Sequence, residues 1–298
     1  MAETGRPDLP LFVSCHQEFP DPKLPLLHPI HVGAALSDER IGGYLRDDSG
    51  EHISRLTRRY CELTGQYWVW KNVEADYYGF FHYRRYLYPR PDSPVPYIIR
   101  PAPEETLLRQ LGYGYFEELI ARYQLIAPIG ENMHVSVREH YGTAPFHRAK
   151  DLALAEEITA RRYPAYRAAM EQYLSGSICY FGNIYIMTRE VFQDYCGWLF
   201  PILEEFDSRA DLSGCSPQEL RVDGYLAERL FGVYYTHRRH ALDCLELPRV
   251  HFEPDTARRL KQQAVNTLLP PGSALRAAVK SCRNRKYQKR DNELWSRA

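Results

Sequence analysis

A chain of 298 residues can bury one large core or two modest ones. Its 38 basic and 38 acidic residues cancel, so no overall field recruits nucleic acid. Seven scattered cysteines (Cys15, Cys61, Cys179, Cys196, Cys215, Cys244 and Cys282), with no Cys-x-x-Cys pair, argue against a structural zinc site or disulfide framework and for a reducing compartment.

Residues 1–10 read as a disordered leader without a basic-then-apolar signal. Leu11–Cys15 is an apolar run of strand length, followed by His16 and a Pro-rich loop from Phe19 to Pro29. Asp47 to Gly50 is a turn cluster. Beyond it Ile53, Leu56, Tyr60, Leu63, Tyr67 and Trp70 recur at three- and four-residue steps, which predicts one amphipathic helix. Arg55, Arg58, Arg59 and Glu62 fall on its solvated face, and Lys71 and Asn72 at its end. Asp76 to Tyr88 reads as a strand that breaks into His82, Arg84 and Arg85. Six prolines make residues 89–103 an irregular loop.

Further on, Glu104–Arg122 reads as a helix, Gln124–Ile129 as a strand, and Ala149–Arg162 and Pro164–Tyr173 as helices. Ile178–Met187 is a buried strand containing Gly182 and Asn183, where a ligand can approach the backbone. Arg189–Phe206 and Pro217–Tyr234 are helices, and a last strand lies near Cys244–Val250. Alternating strands and helices predict an α/β fold, a mainly parallel sheet flanked by helices, as one domain over residues 11–260. Residues 261–298 form a basic amphipathic tail, with Leu275, Ala278, Val279 and Cys282 on one helical face. Such a tail suits peripheral contact with an anionic membrane; a solvated end is the alternative. No stretch nears the roughly 20 apolar residues that span a bilayer. The expected location is therefore cytoplasmic, either free or peripheral on the inner face of the membrane.

The chemistry concentrates at a strand end. α/β proteins bind ligands where strands end, and an imidazole beside two guanidiniums suits a phosphate or diphosphate. His82 and Arg84 share a face of an extended strand while Arg85 points away, unless the strand has already turned. Lys71 and Asn72 either add a charge and an amide there or cap the helix end. Asn183 is a candidate sugar or diphosphate ligand. The 23 tyrosines mostly pack at layer boundaries, while Trp68, Trp70 and Tyr83 can stack on a ring.

Several words resemble a bacterial family of formerly unknown function found among capsule and exopolysaccharide biosynthesis proteins, whose members are thought to be glycosyltransferases. They include His16, residues 29–33, 48–54 and 62–72, Gly79-Phe-Phe-His-Tyr-Arg-Arg85, residues 182–187 and 195–200, and Arg221 to Leu230. The resemblance spans about residues 11–250 and implies a GT-A-like fold. It also implies sugar transfer from a nucleotide sugar, here read as UDP-linked, to a glycan or lipid-linked glycan acceptor.

Many enzymes of that class hold a divalent metal with Asp-x-Asp, which this chain lacks. We therefore expect no metal and no other cofactor, with His82 and one or both arginines compensating charge on the leaving diphosphate. His16, Lys71, Asn72, His82, Arg84, Arg85, Asn183 and Arg221 are the expected substrate-binding residues. Asp223 and Glu228 are the candidate bases; five residues apart, they diverge by about 140 degrees on a helix and cannot both face one cleft. A phosphodiester-forming sugar-phosphate transferase and a noncatalytic glycan- or nucleotide-binding module are the alternatives.

Overall fold

The structure, a computed structural model, describes residues 7–19, 21, 24–102 and 113–295. Its strands are β1 (Leu11–Cys15), β2 (Leu27–His31), β3 (Leu45–Arg46), β4 (Tyr77–His82), β5 (Arg85–Leu87), β6 (Tyr97–Arg100), β7 (Leu125–Pro128), β8 (Glu131–Asn132), β9 (Ile178–Cys179), β10 (Tyr185–Thr188), β11 (Cys244–Leu247) and β12 (Arg249–Phe252). The helices are α1 (Thr57–Tyr60), α2 (Leu63–Asn72), α3 (Tyr113–Ile120), α4 (Val137–Thr143), α5 (Ala149–Arg162), α6 (Arg167–Ser175), α7 (Arg189–Arg209), α8 (Val222–Arg238), α9 (Thr256–Leu268) and α10 (Ala274–Trp295).

The result is one α/β domain with a mostly parallel central sheet, in the order β11-β7-β10-β4-β1-β2-β3. β1 runs parallel to both β2 and β4, and β7 to β11; β10 alone in this path is antiparallel to its neighbours. All five β1 side chains are buried, as a strand covered on both faces requires. Alternation divides them. Phe12 joins a large aromatic core with α2 and α4–α8, while Leu11, Val13 and Cys15 join a smaller one with β5 and β12. Most tyrosines serve this packing, among them Tyr78, Tyr185, Tyr195 and Tyr234.

The structure departs from the sequence reading in several places. Leu9 is buried and the Asp8 carbonyl accepts from the Asp76 and Tyr77 amides, so part of the leader is packed; residues 1–6 lie outside the described residues. β2 occupies the end of the Pro-rich loop. Pro29 is tolerated because β3 pairs only with Ile30 and His31, leaving one side of it without a strand partner. β6 lies in the segment read as irregular, and α4 was not anticipated. Of the helix read over residues 104–122, α3 is present and residues 104–112 are outside the described residues. α9 runs across residue 260, where the domain was expected to end. No helix among the described residues is long and apolar enough to cross a membrane.

α6 and α8 cross at Gly232, where an added Cβ would overlap the Tyr173 ring. Tyr173 and Gly232 are both buried, so the ring has little room to retreat. Gly232→Ala is expected to destabilise the fold by about 1–3 kcal/mol in chemical denaturation. An unchanged midpoint and slope would show that this crossing is loose.

Candidate active site

β1 and β4 end side by side, with Ser14 in register with His82, so His16 and His82 reach the same edge. The chain then turns at Tyr83 and Arg84 and returns as β5, pairing Arg85 with His82. Asp76 to Tyr88 is thus a hairpin rather than one strand. The turn makes Arg85, not only Arg84, a neighbour of His82. The predicted helix over residues 53–70 is broken too. Cys61 has φ 53, a strained value for a residue with a side chain, and α1 stops there before α2 begins at Leu63. The break brings Glu62 into the site.

Residues 178–187 likewise split into β9 and β10 around a bend, with Gly182 at φ 105 and Asn183 at φ 50. Glycine suits the first value because it has no Cβ. Two helices clasp this bend. From α8, Glu228 Oε1 accepts the Gly182 N–H at 2.7 Å and the Gly224 carbonyl accepts from Asn183 Nδ2 at 3.1 Å. Glu62, just before α2, accepts from Asn183 Nδ2 at 2.8 Å, and Gln66 Nε2 donates to the Asn183 carbonyl at 2.9 Å.

A cavity of about 500 Å³ opens between these elements. His16, His82, Tyr83, Arg84 and Arg85 line it from the strand ends. Cys61 and Glu62 line it from the helix break, Phe181 and Gly182 from the bend, and Arg221, Gly224, Tyr225, Glu228 and Arg229 from α8 and the residue before it. His140, Ala144 and His147 close it from α4 and beyond. Gly224 and Tyr225 of the first turn of α8 thus face the cavity, and the residue before the helix, Arg221, lines it too without capping the helix through its side chain.

The groups are charged unequally. Arg229 is 2% exposed, pairs with Glu228 Oε2 at 3.1 Å, and lies 5.0 Å from the Phe181 ring centre. Arg85 is open to solvent yet hemmed in by protein, as a side chain standing inside a cavity should be. Burial lowers its pKa while Glu228 and Glu62 pull it up, and arginine stays charged regardless. Burial pushes the Glu62 carboxyl up, with the Asn183 bond opposing the shift. Burial pulls His82 down to about 3, with Arg85 adding to the shift. His82 Nδ1 accepts the Arg84 backbone N–H at 3.2 Å, which leaves Nε2–H as the neutral ring's donor.

Six of the ten residues expected from the sequence line the cavity: His16, His82, Arg84, Arg85, Arg221 and Glu228. Asn183 lies behind it as the clasp. Lys71 and Asn72 do not line it. Lys71 Nζ pairs with Glu51 at 3.3 Å and lies 3.8 Å from the Trp70 ring centre, while Asn72 bonds the Glu51 backbone and the Trp68 carbonyl. They fasten the loop over residues 48–54 to α2. Asp223 is fully buried, points away from the cavity, and faces Asp207; burial and that carboxylate raise its pKa well above the usual range. α8 runs unbroken through Gly224, so Asp223 and Glu228 diverge around a regular helix. Trp70 stacks on Phe200 in the core, and Trp68 donates to the Ser49 carbonyl; only Tyr83 of the three candidate stacking rings reaches the cavity.

Sequence reasoning missed Glu62, Arg229, His140 and His147. On an unbroken helix Glu62 falls on the solvated face, and it reaches the cavity only because the helix breaks at Cys61. Arg229 carried a signal that went unread, an arginine among the apolar residues of a buried helix.

The α/β fold of this domain is similar to that of a glycosyltransferase structure. The apo structure of WbbM, a bifunctional glycosyltransferase, superposes with a TM-score of 0.78 at 30% identity, covering 83% of this chain and 45% of that one. Residues 10–239 match the family described as a domain of unknown function, DUF4422, and the chain belongs to it. No curated protein matches.

Four half-buried histidines set a pH dependence. Burial holds His82 and His140 at about 3, His147 at about 4 and His251 at about 2, all below the unfolded value near 6.5. Below pH 6.5 the unfolded chain binds more protons, so stability is fully present above that value and is lost as pH falls towards 3. At pH 5.5 each histidine is expected to cost about 1 kcal/mol, read as a falling denaturation midpoint between pH 7 and 5.5. A flat midpoint over that range would contradict the burial of these rings.

Proposed function

We propose that the chain transfers a sugar from a nucleotide-sugar donor, UDP-linked in our reading, to a polysaccharide or lipid-linked oligosaccharide. The pathway would be capsule, exopolysaccharide or lipopolysaccharide-type glycan synthesis, at the inner face of the membrane. The observation that carries the proposal is the cavity where Arg84, Arg85, Arg221 and Arg229 face two carboxylates beside the first turn of α8. The likeness to WbbM supports glycosyl transfer in general.

In this reading the diphosphate lies against Arg85, the His82 Nε2–H and the amides at the start of α8. As the anomeric C–O bond breaks, its electron pair moves to the diphosphate oxygen, and fixed guanidiniums stabilise that charge. Arg84 and Arg221 flank the same anion; Arg84 lies 5.2 Å from the Tyr83 ring centre, and Arg221 Nε donates to Cys61 Sγ at 3.3 Å. Among the described residues no group of three or more His, Cys, Asp or Glu is arranged to hold a metal ion. The proposal assigns charge compensation to the arginines because four of them line the cavity.

If configuration inverts, the acceptor hydroxyl attacks from the other side of the sugar and gives its proton to a carboxylate. We assign that role to Glu62. Its pKa is raised by burial, and only one of its oxygens holds the Asn183 amide. Both Glu228 oxygens are already engaged, by Gly182 N–H and Arg229, so Glu228 positions the bend and balances the guanidiniums.

Glu62→Gln is expected to lower kcat by about 10²–10⁴ while leaving nucleoside diphosphate affinity nearly unchanged. Arg85→Ala should lose both, and by more than Arg84→Ala. Wild-type turnover by Glu62→Gln would remove it as the base, and an Arg85→Ala variant that binds normally would remove the diphosphate from this cavity.

A further inference from the structure

The two C-terminal helices turn their amphipathic faces the wrong way round for a soluble packing element. α9 contacts the domain through polar groups: Arg259 donates to the Glu253 carbonyl, Gln263 to the Ile99 carbonyl, and Asn266 Oδ1 accepts from Tyr97. None of its residues is buried, and Leu260 and Leu268 stand 59% and 77% exposed. α10 repeats the pattern. Arg276 donates inward to Asn266 and to the Tyr97 hydroxyl, while Leu275 and Val279 are 62% and 48% exposed. Of the nine exposed large apolar side chains among the described residues, five lie on these two helices, so the clustering is not scatter.

Charge distinguishes the possible occupants. Residues 256–295 hold ten of the 38 basic residues and two of the 38 acidic ones, so this segment carries +8 and the rest of the chain −8. A second copy docked face to face would bring the same positive segment to this surface and be repelled. An anionic lipid surface would be attracted, and its acyl region would cover the leucines. Beside the apolar face lies a cavity of about 370 Å³ between β6, β12, α9 and α10. Its rim carries Arg258 and Lys261, which form no ion pair among the described residues, together with Arg276.

We infer that α9 and α10 form a membrane-docking surface in which Leu260, Leu268, Leu275 and Val279 enter an anionic leaflet while the Arg258–Lys261–Arg276 cavity takes a lipid headgroup phosphate. This rests on the proposed inner-face location and extends it by naming the surface and its ligand. α10 packs on α4, which carries His140 to the catalytic cavity, so docking would place that cavity near a lipid-linked acceptor.

The test is co-sedimentation of the full chain with phosphatidylglycerol–phosphatidylcholine vesicles, with phosphatidylcholine vesicles and inorganic phosphate as separate arms. It reads binding rather than turnover, so its failure is distinct from failure of the enzyme assignment. Binding to the anionic vesicles alone is expected, weakened by salt and by about tenfold or more in Leu260→Glu/Leu268→Glu. Leu260→Phe/Leu268→Phe should bind like wild type, and circular dichroism should show both variants folded. Arg258→Glu/Lys261→Glu should weaken vesicle binding, and free phosphate should compete only in part. The inference fails if the anionic vesicles do not pellet the chain or the Glu pair binds as wild type. It fails equally if light scattering shows a dimer that the Glu pair dissolves, because a second copy would then cover the face.

Discussion

The site depends on one bend. Gly182 and Asn183 take left-handed backbone angles between β9 and β10, and α2 and α8 hold them from opposite sides. Glu228 accepts the Gly182 amide and Glu62 accepts the Asn183 side chain. The same bonds that fix the backbone therefore fix both carboxylates of the cavity. Neither can shift without releasing the bend, and the bend cannot straighten without leaving buried polar groups unpaired.

Around that clasp the charges divide by permanence. Guanidiniums remain positive in a partly dry cavity, whereas burial keeps the imidazoles of His82, His140 and His147 neutral. The cavity thus holds fixed positive charge from arginine and neutral donors from histidine. An arriving diphosphate would meet preorganised donors and would not have to reorganise the protein. Arg229, buried and paired with Glu228, lies over the Tyr141 ring and so ties the cavity lining to the aromatic core.

Much of the fold was legible in the sequence, because long runs carry strong periodicity. β1, α5 and α7 appear almost as read, since their apolar patterns carry through, in α7 even across Pro201. The site was legible only in part. His82, Arg84, Arg85, Arg221 and Glu228 announced themselves as charge beside apolar runs. Glu62 did not, because its position depends on Cys61 adopting a strained angle that no local pattern encodes. Lys71 and Asn72 misled for the opposite reason. They lie close in sequence to the strand end, but α2 carries them to its far end, where they hold a loop. Tertiary contacts decided both cases.

The chain's net neutrality conceals a short basic segment and a long acidic-leaning body, and the structure gives each a place. The acidic-leaning body carries a small basic cavity, and the basic C-terminal helices lie outside it. The central claim is that arginine, rather than a metal ion, neutralises the departing diphosphate. Nucleoside diphosphate release from a panel of nucleotide sugars, followed with and without chelator, tests it most directly. The account predicts that one donor turns over at the same rate in both; activity abolished by chelator and restored by added divalent ion would contradict it.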